Sequence, residues 1–198
     1  MLSNIVHNTK EFYGTRNKDI PCQSIFYKET ELLAGRRRDV YERILKTNIV
    51  EDIRGKNVAD LGANISINAM LAWNFGAKNV TAIESSPQIA TSALRLSTIL
   101  NSNISLEVRD LGLPIKNIPV FNTVFCNSLY THISNKKILS QNIQNLTKKV
   151  LYFEGHQRTT KDDYSEVFQY FKTVQLIGYN ADGIHSKEST RPFFRCEK

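Results

Sequence analysis

From residue 55 onward, short apolar runs alternate with stretches of helical periodicity, and this alternation constrains the fold more than any other feature. Five runs have strand character, at residues 57–61, 79–84, 104–108, 121–126 and 150–154. Strands that are joined through helices lie parallel in a sheet, because each crossover returns the chain to the same starting edge. The alternation therefore predicts an α/β fold, a mostly parallel sheet with helices on both faces.

The end of the chain follows a different pattern. Residues 173–177 and 192–196 also have strand character, but the polar loop between them shows no helical periodicity. Two strands without a crossover helix between them are expected to pair antiparallel. The sequence thus predicts five β/α steps that are closed by an antiparallel hairpin.

Residues 1–54 lack the alternation and are predicted to form a helical N-terminal extension, a substrate lid packed on the domain of residues 55–198. A length of 198 residues favours a single core. The prediction rests on aromatic side chains and on one helical pattern, namely Phe12, Tyr13, Phe26 and Tyr27, and then Val40, Tyr41, Ile44 and Leu45.

The chain carries a net charge of +7 and has a pI of about 9.3, which is compatible with an anionic partner such as RNA. The charge is spread along the chain, with +3 in residues 1–56 and +4 in the remainder. The run of Arg36, Arg37 and Arg38 is the candidate phosphate contact. The spread favours solvated surfaces over a dedicated nucleic-acid interface.

The three cysteines, Cys22, Cys126 and Cys196, are far apart, and neither they nor the four histidines show metal-ligand spacing. This pattern predicts a reduced, cytoplasmic protein with no disulfide framework and no metal. No apolar run approaches the ~20 residues that a membrane span needs, and the first residues do not resemble a signal peptide. We therefore expect no membrane partner.

Residues 58–66 have the pattern of a strand that passes through a tight turn into a helix. Gly62 lets the backbone approach a ligand at the carboxyl edge of the sheet, where open α/β folds bind. The turn lacks the Gly-x-Gly-x-x-Gly pattern that holds a pyrophosphate, and Asp60 would repel phosphate. S-adenosylmethionine (SAM) has an ammonium, a sulfonium and no phosphate. The acidic turn therefore indicates SAM rather than a nicotinamide dinucleotide.

Two further acidic residues follow the next two strands. Glu84 ends the second strand, 24 residues after Asp60, near the spacing at which an acid binds the ribose hydroxyls of a nucleotide. Asp110 lies just past the third strand, where it can accept a hydrogen bond from an adenine amino group. Since the carboxyl ends of parallel strands share one edge, the three acids are predicted to line one site.

With these features, residues 55–196 resemble a class I, Rossmann-like, SAM-dependent methyltransferase. Members of this family end their first strand with an acidic residue and a glycine-rich turn, carry acids at the next two strand ends, and close with antiparallel strands. The resemblance implies SAM as the cofactor and methyl transfer as the activity. The cofactor-binding residues that it implies are Asp60, Gly62, Asn64, Glu84, Asp110 and Asn127.

The sequence departs from the family at Ser66, where the turn of family members has a third glycine. We expect Ser66 to cap the helix that follows, since a serine side chain accepts hydrogen bonds from the first helical amides. The alternative is that its side chain crowds the methionine end of the pocket. That alternative leads to a catalytically silent SAM-binding or scaffold protein.

Residues that contact the acceptor are expected in the loops after the fourth and fifth strands. The first loop reads Asn-Ser-Leu-Tyr-Thr-His from Asn127 to His132, not the Asn-Pro-Pro-Tyr of methylases that act on exocyclic amines of DNA bases. His132 and His156 are the candidate general bases, and Gly155 would let the backbone approach the ligand. A small-molecule acceptor is favoured over RNA, such as a tRNA, because no RNA-binding appendage is recognisable. The pattern specifies neither the acceptor atom nor the oligomeric state.

Overall fold

The computed structural model describes residues 25–27, 30–33, 49–181 and 190–198. The strands are β1 (Ile25–Tyr27), β2 (Thr30–Leu33), β3 (Asn57–Leu61), β4 (Asn79–Glu84), β5 (Ser105–Val108), β6 (Phe121–Asn127), β7 (Thr147–Glu154), β8 (Thr173–Ala181) and β9 (Thr190–Glu197). The helices are α1 (Ile49–Ile53), α2 (Ile67–Asn74), α3 (Pro87–Ile99), α4 (Lys136–Leu146) and α5 (Ser165–Phe168), with 3-10 turns at Tyr130–His132 and Asp162–Tyr164. None of the helices in these ranges is long and apolar enough to cross a membrane.

Seven of the strands form one sheet in the order β5-β4-β3-β6-β7-β9-β8. Strands β3 to β7 run parallel, whereas β9 is antiparallel to both of its neighbours, β7 and β8. The predicted mostly parallel α/β sheet with a closing antiparallel hairpin is therefore confirmed. Because β4 and β6 lie on opposite sides of β3, the strand order reverses there, and open α/β sheets bind ligands at such a point.

Both faces of the sheet are buried, which explains why the parallel strands read as nearly continuous apolar runs. On one face, Val58 and Phe125 share a core with helices α1, α2 and α3. On the other face, Leu61 and Val124 share a core with α4 and α5. Helices therefore cover both faces, and the open carboxyl edge between them is left for a ligand.

The last helix is shorter than its pattern indicates. Tyr164, Val167, Phe168 and Phe171 are spaced as one helical face, and all four are buried. The regular structure is only the 3-10 turn that ends at Tyr164, followed by the four residues of α5. Burial of the apolar face, rather than helix length, therefore accounts for the periodicity.

The described part of the N-terminal extension is not wholly helical. Strands β1 and β2 pair antiparallel, with Tyr27 opposite Thr30, and only the five residues of α1 are helical. The helical prediction is wrong for residues 25–27 and 30–33, because strands of three and four residues are too short to show a period of two. The helix expected through residues 40–45, the aromatic residues 12 and 13, and the arginine run at 36–38 lie outside the described residues. The lid role of the extension stays a prediction.

Helix α1 is fixed to the sheet through Asp52. Its carboxylate accepts hydrogen bonds from Tyr152 Oη at 2.5 Å and from Arg195 Nε at 2.9 Å, and its carbonyl accepts one from Thr123 Oγ1. Burial and the Asp52 carboxylate raise the pKa of Tyr152, so the phenol stays protonated and donates. Because Thr123 lies on β6, Tyr152 on β7 and Arg195 on β9, this cluster ties the end of the extension to three strands.

Candidate cofactor and active site

The turn after β3 takes a left-handed backbone at every second residue. The φ angles are +64° at Gly62, +54° at Asn64 and +64° at Ser66. Glycine adopts such angles without strain, asparagine less readily and serine rarely. A Cβ at Gly62 would also lie 2.6 Å from Leu129 Cδ1, so that side chain would have to move. The turn thus has a left-handed backbone at three positions, of which only the first is glycine.

Glu84 braces this turn from the neighbouring strand. Its Oε2 accepts a hydrogen bond from the Asn64 amide at 2.9 Å, and its Oε1 accepts from the amides of Ser85 at 2.8 Å and Ser86 at 3.0 Å. The residue is only 6% exposed, so the carboxylate is held in one place. Since a carboxylate has about four lone-pair sites, Oε2 can accept a further hydrogen bond from a ligand hydroxyl. Nothing in the sequence pattern signalled the bracing role.

The other predicted cofactor residues lie at the same edge of the sheet. Asp60 is 1% exposed near the end of β3, whereas Asp110 is exposed beyond β5 and accepts a hydrogen bond from the Gly112 amide at 2.8 Å. Asn127 ends β6, and its buried Oδ1 has no hydrogen-bond partner among the described residues. A buried acceptor without a partner is costly in the absence of a ligand. These residues therefore lie at the carboxyl ends of neighbouring strands, and their binding role stays a prediction.

Ser66 does not cap α2, so the capping prediction is wrong. Its side chain is fully buried, makes no hydrogen bond to the helix, and has no partner for Oγ in the part of the chain that the structure describes. The cause is the left-handed backbone, with φ +64° and ψ +33°, because a capping serine needs an extended backbone to reach the first amides. Ser86 shows the contrast: with φ −86° and ψ +116°, its hydroxyl accepts from the Ile89 amide in α3.

Replacing Ser66 with glycine is expected to raise the free energy of unfolding by about 1 kcal/mol. The change removes a left-handed serine, which costs ~1–2 kcal/mol, and a buried hydroxyl without a partner, and these gains exceed the entropic cost of glycine. Urea unfolding followed by circular dichroism measures the difference. The matched control, Ser86→Gly, removes an actual cap and should lower stability by a few tenths of a kcal/mol. A Ser66→Gly protein less stable than the wild type would contradict this explanation.

The two candidate bases meet beyond the ends of β6 and β7. The rings of His132 and His156 pack edge to face, with 5.4 Å between their centroids. His132 is exposed at the end of a 3-10 turn that Lys136 fixes by donating to the carbonyls of Tyr130 and Ile133. Within the described residues, no three histidine, cysteine, aspartate or glutamate side chains form a group that could hold a metal ion. The pair is considered for proton transfer because an imidazole can take up a proton near neutral pH.

His156 is held through its Nε2 atom. Nε2 lies 3.0 Å from the carbonyl oxygen of Ser128 and 2.5 Å from Thr131 Oγ1. A carbonyl oxygen only accepts, whereas a threonine hydroxyl can also donate, so Nε2 either carries the hydrogen and donates to Ser128 or lacks it and accepts from Thr131. With the hydrogen on Nε2, Nδ1 is the basic nitrogen of the neutral ring. Burial, together with the charge of Arg191, lowers the pKa of His156. The ring is therefore neutral at pH 7, which is the form that a general base needs.

Gly155 is explained by packing rather than by a ligand. A Cβ at this position would lie 2.6–2.9 Å from the phenol of Tyr164, which is 1% exposed. Tyr164 Oη also accepts a hydrogen bond from the His156 amide at 2.7 Å and lies 2.7 Å from Thr159 Oγ1. The expectation that this glycine opens the backbone to a ligand is therefore wrong, because a buried tyrosine fills the space.

We expect Gly155→Ala to lower the free energy of unfolding by about 1–3 kcal/mol, the usual cost of an extra methyl group in a packed core. The Tyr164 ring must move away, which also weakens its hydrogen bond from the His156 amide. Thermal unfolding measures the loss. In the control Gly112→Ala, the nearest atom to the new Cβ is the Asp110 carboxylate at 3.1 Å, which can move, so the loss should stay within about 0.5 kcal/mol. Equal stabilities for Gly155→Ala and the wild type would refute the packing explanation.

A buried cluster beside His156 was not predicted. Glu154, at the end of β7, is 0% exposed and accepts hydrogen bonds from Ser128 Oγ and Asn180 Nδ2. Arg191 donates to the same Ser128 hydroxyl, and its Nη1 lies 3.7 Å from Glu154 Oε1. In the sequence, the position of Glu154 at the end of a predicted strand was the feature that could have indicated this cluster. Nothing local marks Asn180 or Arg191, which come from the closing hairpin.

Solved structures share this architecture. The crystal structure of magnesium protoporphyrin IX methyltransferase (ChlM) from Synechocystis PCC 6803, with bound SAM, aligns with a TM-score of 0.65 over 80% of this chain and 80% of that chain, at 12% identity. The chain has the fold of the class I SAM-dependent methyltransferases. No family model and no curated protein matches the sequence, so the class I fold is shown by structure alone.

Two further solved structures share this fold. The N-terminal domain of EvdMO1, solved in the presence of SAH and D-fucose, aligns with a TM-score of 0.67 at 12% identity, over 98% of this chain and 95% of that chain. PH1948 from Pyrococcus horikoshii, described as a candidate RNA methyltransferase, aligns with a TM-score of 0.61 at 16% identity, over 80% of this chain and 83% of that chain. The class I fold therefore does not by itself select the acceptor.

Proposed function

We propose that this chain binds SAM at the carboxyl edge of its parallel sheet and transfers the methyl group to a small-molecule acceptor. The observation that carries the proposal is the turn after β3, whose left-handed residues 62, 64 and 66 are braced by the buried carboxylate of Glu84. The turn brings the backbone of Gly62 to the point where the strand order of the sheet reverses, which is where open α/β folds bind ligands. The SAM-bound structure of ChlM, which has the same fold, supports the choice of cofactor.

The side chains at this edge fit SAM better than a phosphate-bearing cofactor. Asp60 and Glu84 are carboxylates, which attract an ammonium or sulfonium and repel a pyrophosphate. Oε2 of Glu84 suits the donors of a ribose, and the buried Oδ1 of Asn127 can accept a hydrogen bond from a ligand. Asp110, exposed beyond β5, would accept from the adenine amino group. Gly62 and Asn64 would lie along the methionine end.

Bound SAM supplies an electrophilic methyl group on a sulfonium, which an acceptor atom attacks in line. The chain holds the acceptor in line, and orientation alone can supply ~7–11 kcal/mol of the barrier reduction. His156 is the proposed base, because its Nε2–H is occupied by the Ser128 carbonyl and its Nδ1 can take a proton from the acceptor. His132, exposed beside it, is the second candidate and would pass the proton to solvent.

A small molecule is the proposed acceptor class, and RNA is the alternative. RNA is bound through clusters of cations that neutralise phosphates. On the acceptor side of the described residues, Arg191 is instead paired with Glu154, and Lys136 donates to the carbonyls of Tyr130 and Ile133. Arg158 and Lys161, in the loop after β7, are further cations on this side. The substrate named for ChlM, magnesium protoporphyrin IX, shows that the fold accepts small molecules.

The acceptor class is tested with SAM that carries a labelled methyl group. The full chain is incubated with the small-metabolite fraction and, separately, with the RNA fraction of a cell extract, with His156→Asn as the inactive control. We expect the label in small, ribonuclease-resistant compounds. Label in RNA, with binding that weakens steeply as salt rises, would replace the small-molecule proposal by RNA. SAM binding without labelling of either fraction would favour the catalytically silent protein.

A further inference from the structure

Ser128 joins a buried ion pair to the candidate base. Its hydroxyl donates to Glu154 Oε1 and accepts from Arg191 Nη1, and its amide donates to the Glu154 carbonyl at 3.0 Å. Its backbone is left-handed, with φ +55°, which serine rarely keeps without such support. The carbonyl of the same residue lies 3.0 Å from His156 Nε2. One strained residue thus connects the ion pair with the imidazole.

We propose that Glu154 and Arg191 are positioning residues for His156, which act through Ser128 to fix the imidazole in the tautomer with its hydrogen on Nε2. The catalytic consequence rests on the proposed function, because in that tautomer Nδ1 is the nitrogen that takes the proton of the acceptor. Without the ion pair, Ser128 is held only through the backbone hydrogen bond of its amide, and Nε2 can instead accept from the Thr131 hydroxyl 2.5 Å away, so that either ring nitrogen can carry the hydrogen. Only part of the protein would then present the basic nitrogen to the acceptor.

The burial of the pair supports a role beyond holding strands together. Glu154 is 0% exposed and Asn180 6% exposed, and the side chain of Arg191 is 17% exposed. Apolar side chains of similar size can hold such positions at no loss of stability, so a buried ion pair is more readily explained by specificity of structure. In this protein, the feature that the ion pair specifies is the left-handed backbone of Ser128.

The charges around His156 act on it in opposite directions. The positive charge of Arg191 lowers the pKa of His156, Glu154 raises it, and the neighbouring His132 lowers it. Arg191 has the larger effect of the two members of the ion pair, so the pair as a whole lowers the pKa of His156.

The tautomer is measured directly by two-bond ¹H–¹⁵N correlation spectra of the histidine rings in the ¹⁵N-labelled full chain, recorded without SAM above the pKa of the rings. The signals of His156 are assigned by their loss in His156→Asn. We expect a single Nε2–H tautomer in the wild type. In Glu154→Gln, which keeps the shape and removes the charge, and in Ser128→Gly, which removes the hydroxyl and tolerates φ +55°, we expect a mixture of tautomers.

Asp52→Asn is the matched control, because it removes the carboxylate of another partly buried arginine pair, that with Arg195, away from His156. Its His156 spectrum should equal that of the wild type. A single, unchanged tautomer in folded Glu154→Gln and Ser128→Gly overturns the proposal. If Glu154→Gln does not fold, Ser128→Gly decides.

Kinetics then separate the positioning role from the proposed function. In Glu154→Gln and Ser128→Gly, kcat should fall roughly 10- to 100-fold, with the KM for SAM unchanged, because only the orientation of the base is lost. An unchanged kcat in a variant with mixed tautomers would overturn the catalytic part of the proposal. A wild-type protein that transfers no methyl group would defeat the proposed function instead, and the spectra would still decide the tautomer.

Discussion

A His156→Asn protein is expected to transfer methyl groups roughly 10²- to 10⁴-fold more slowly than the wild type, the contribution typical of a general base. The amide of asparagine cannot take a proton, and it occupies the place of Nδ1 rather than that of Nε2, so the contact with the Ser128 carbonyl is lost as well. The KM for SAM should stay the same, since the proposed cofactor contacts of Glu84 lie on another strand. Steady-state kinetics with labelled SAM and the identified acceptor measure both values.

The pH profile is the second readout for the same residue. Burial and Arg191 lower the pKa of His156 below its ordinary value near 6.5. A base works only when it is deprotonated, so kcat/KM should rise with pH through that lowered pKa, with the midpoint of the rise below 6.5. His156→Asn should lose this rise, and the control His132→Asn should keep it. A rise centred above 6.5, or one that persists in His156→Asn, would show that another group is the base.

Glu84→Ala is expected to weaken SAM binding by about 1.5–3 kcal/mol for each hydrogen bond lost to this charged group, which is roughly 10- to 100-fold per bond. The substitution removes two hydrogen bonds of the carboxylate. One is the proposed bond from a ribose hydroxyl, and the other is the bond from the Asn64 amide at 2.9 Å. The turn that faces the cofactor should therefore loosen together with the ribose contact. Calorimetric titration with SAM measures the change.

Glu84→Gln and Asp110→Asn are the graded controls for this effect. Glutamine keeps the size and one carbonyl acceptor, so its loss should fall between those of the wild type and of Glu84→Ala. Asp110 is exposed, and a hydrogen bond that water can replace contributes little, so Asp110→Asn should bind SAM almost as the wild type does. Equal affinities for the wild type and Glu84→Ala would remove the ribose assignment.

The main sheet was predictable because its pattern is long and repeated. Strands β3, β4, β6 and β7 are largely buried and each is followed by a helix, so apolar runs and helical periods marked both the strand ends and the direction of the chain. The edge strand β5 is partly exposed and leads to β6 without a helix. The β1–β2 hairpin was not predictable, because its strands have three and four residues. The four-residue α5 was predicted too long for a related reason: an apolar face of buried side chains continues beyond the hydrogen-bonded helix.

At the site, strand ends were predictable and backbone angles were not. Asp60, Glu84 and Asp110 follow successive strands, and parallel topology alone brings such residues to one edge. The role of Ser66 was predicted wrongly, because serine before a helix usually caps it and the sequence does not show its φ of +64°. The cluster at Ser128 joins side chains that are 26 and 63 residues away in sequence, contacts that no local pattern signals.

Calorimetric titration of the wild-type chain with SAM tests the central claim most directly. We expect saturable binding of SAM and of its demethylated product, S-adenosylhomocysteine, and no measurable binding of NADH, whose pyrophosphate the carboxylates of Asp60 and Glu84 repel. A folded wild-type protein that binds no SAM, or that binds SAM only after Ser66→Gly, would contradict the claim. Binding of NADH would contradict it as well and would point to a dinucleotide-binding protein.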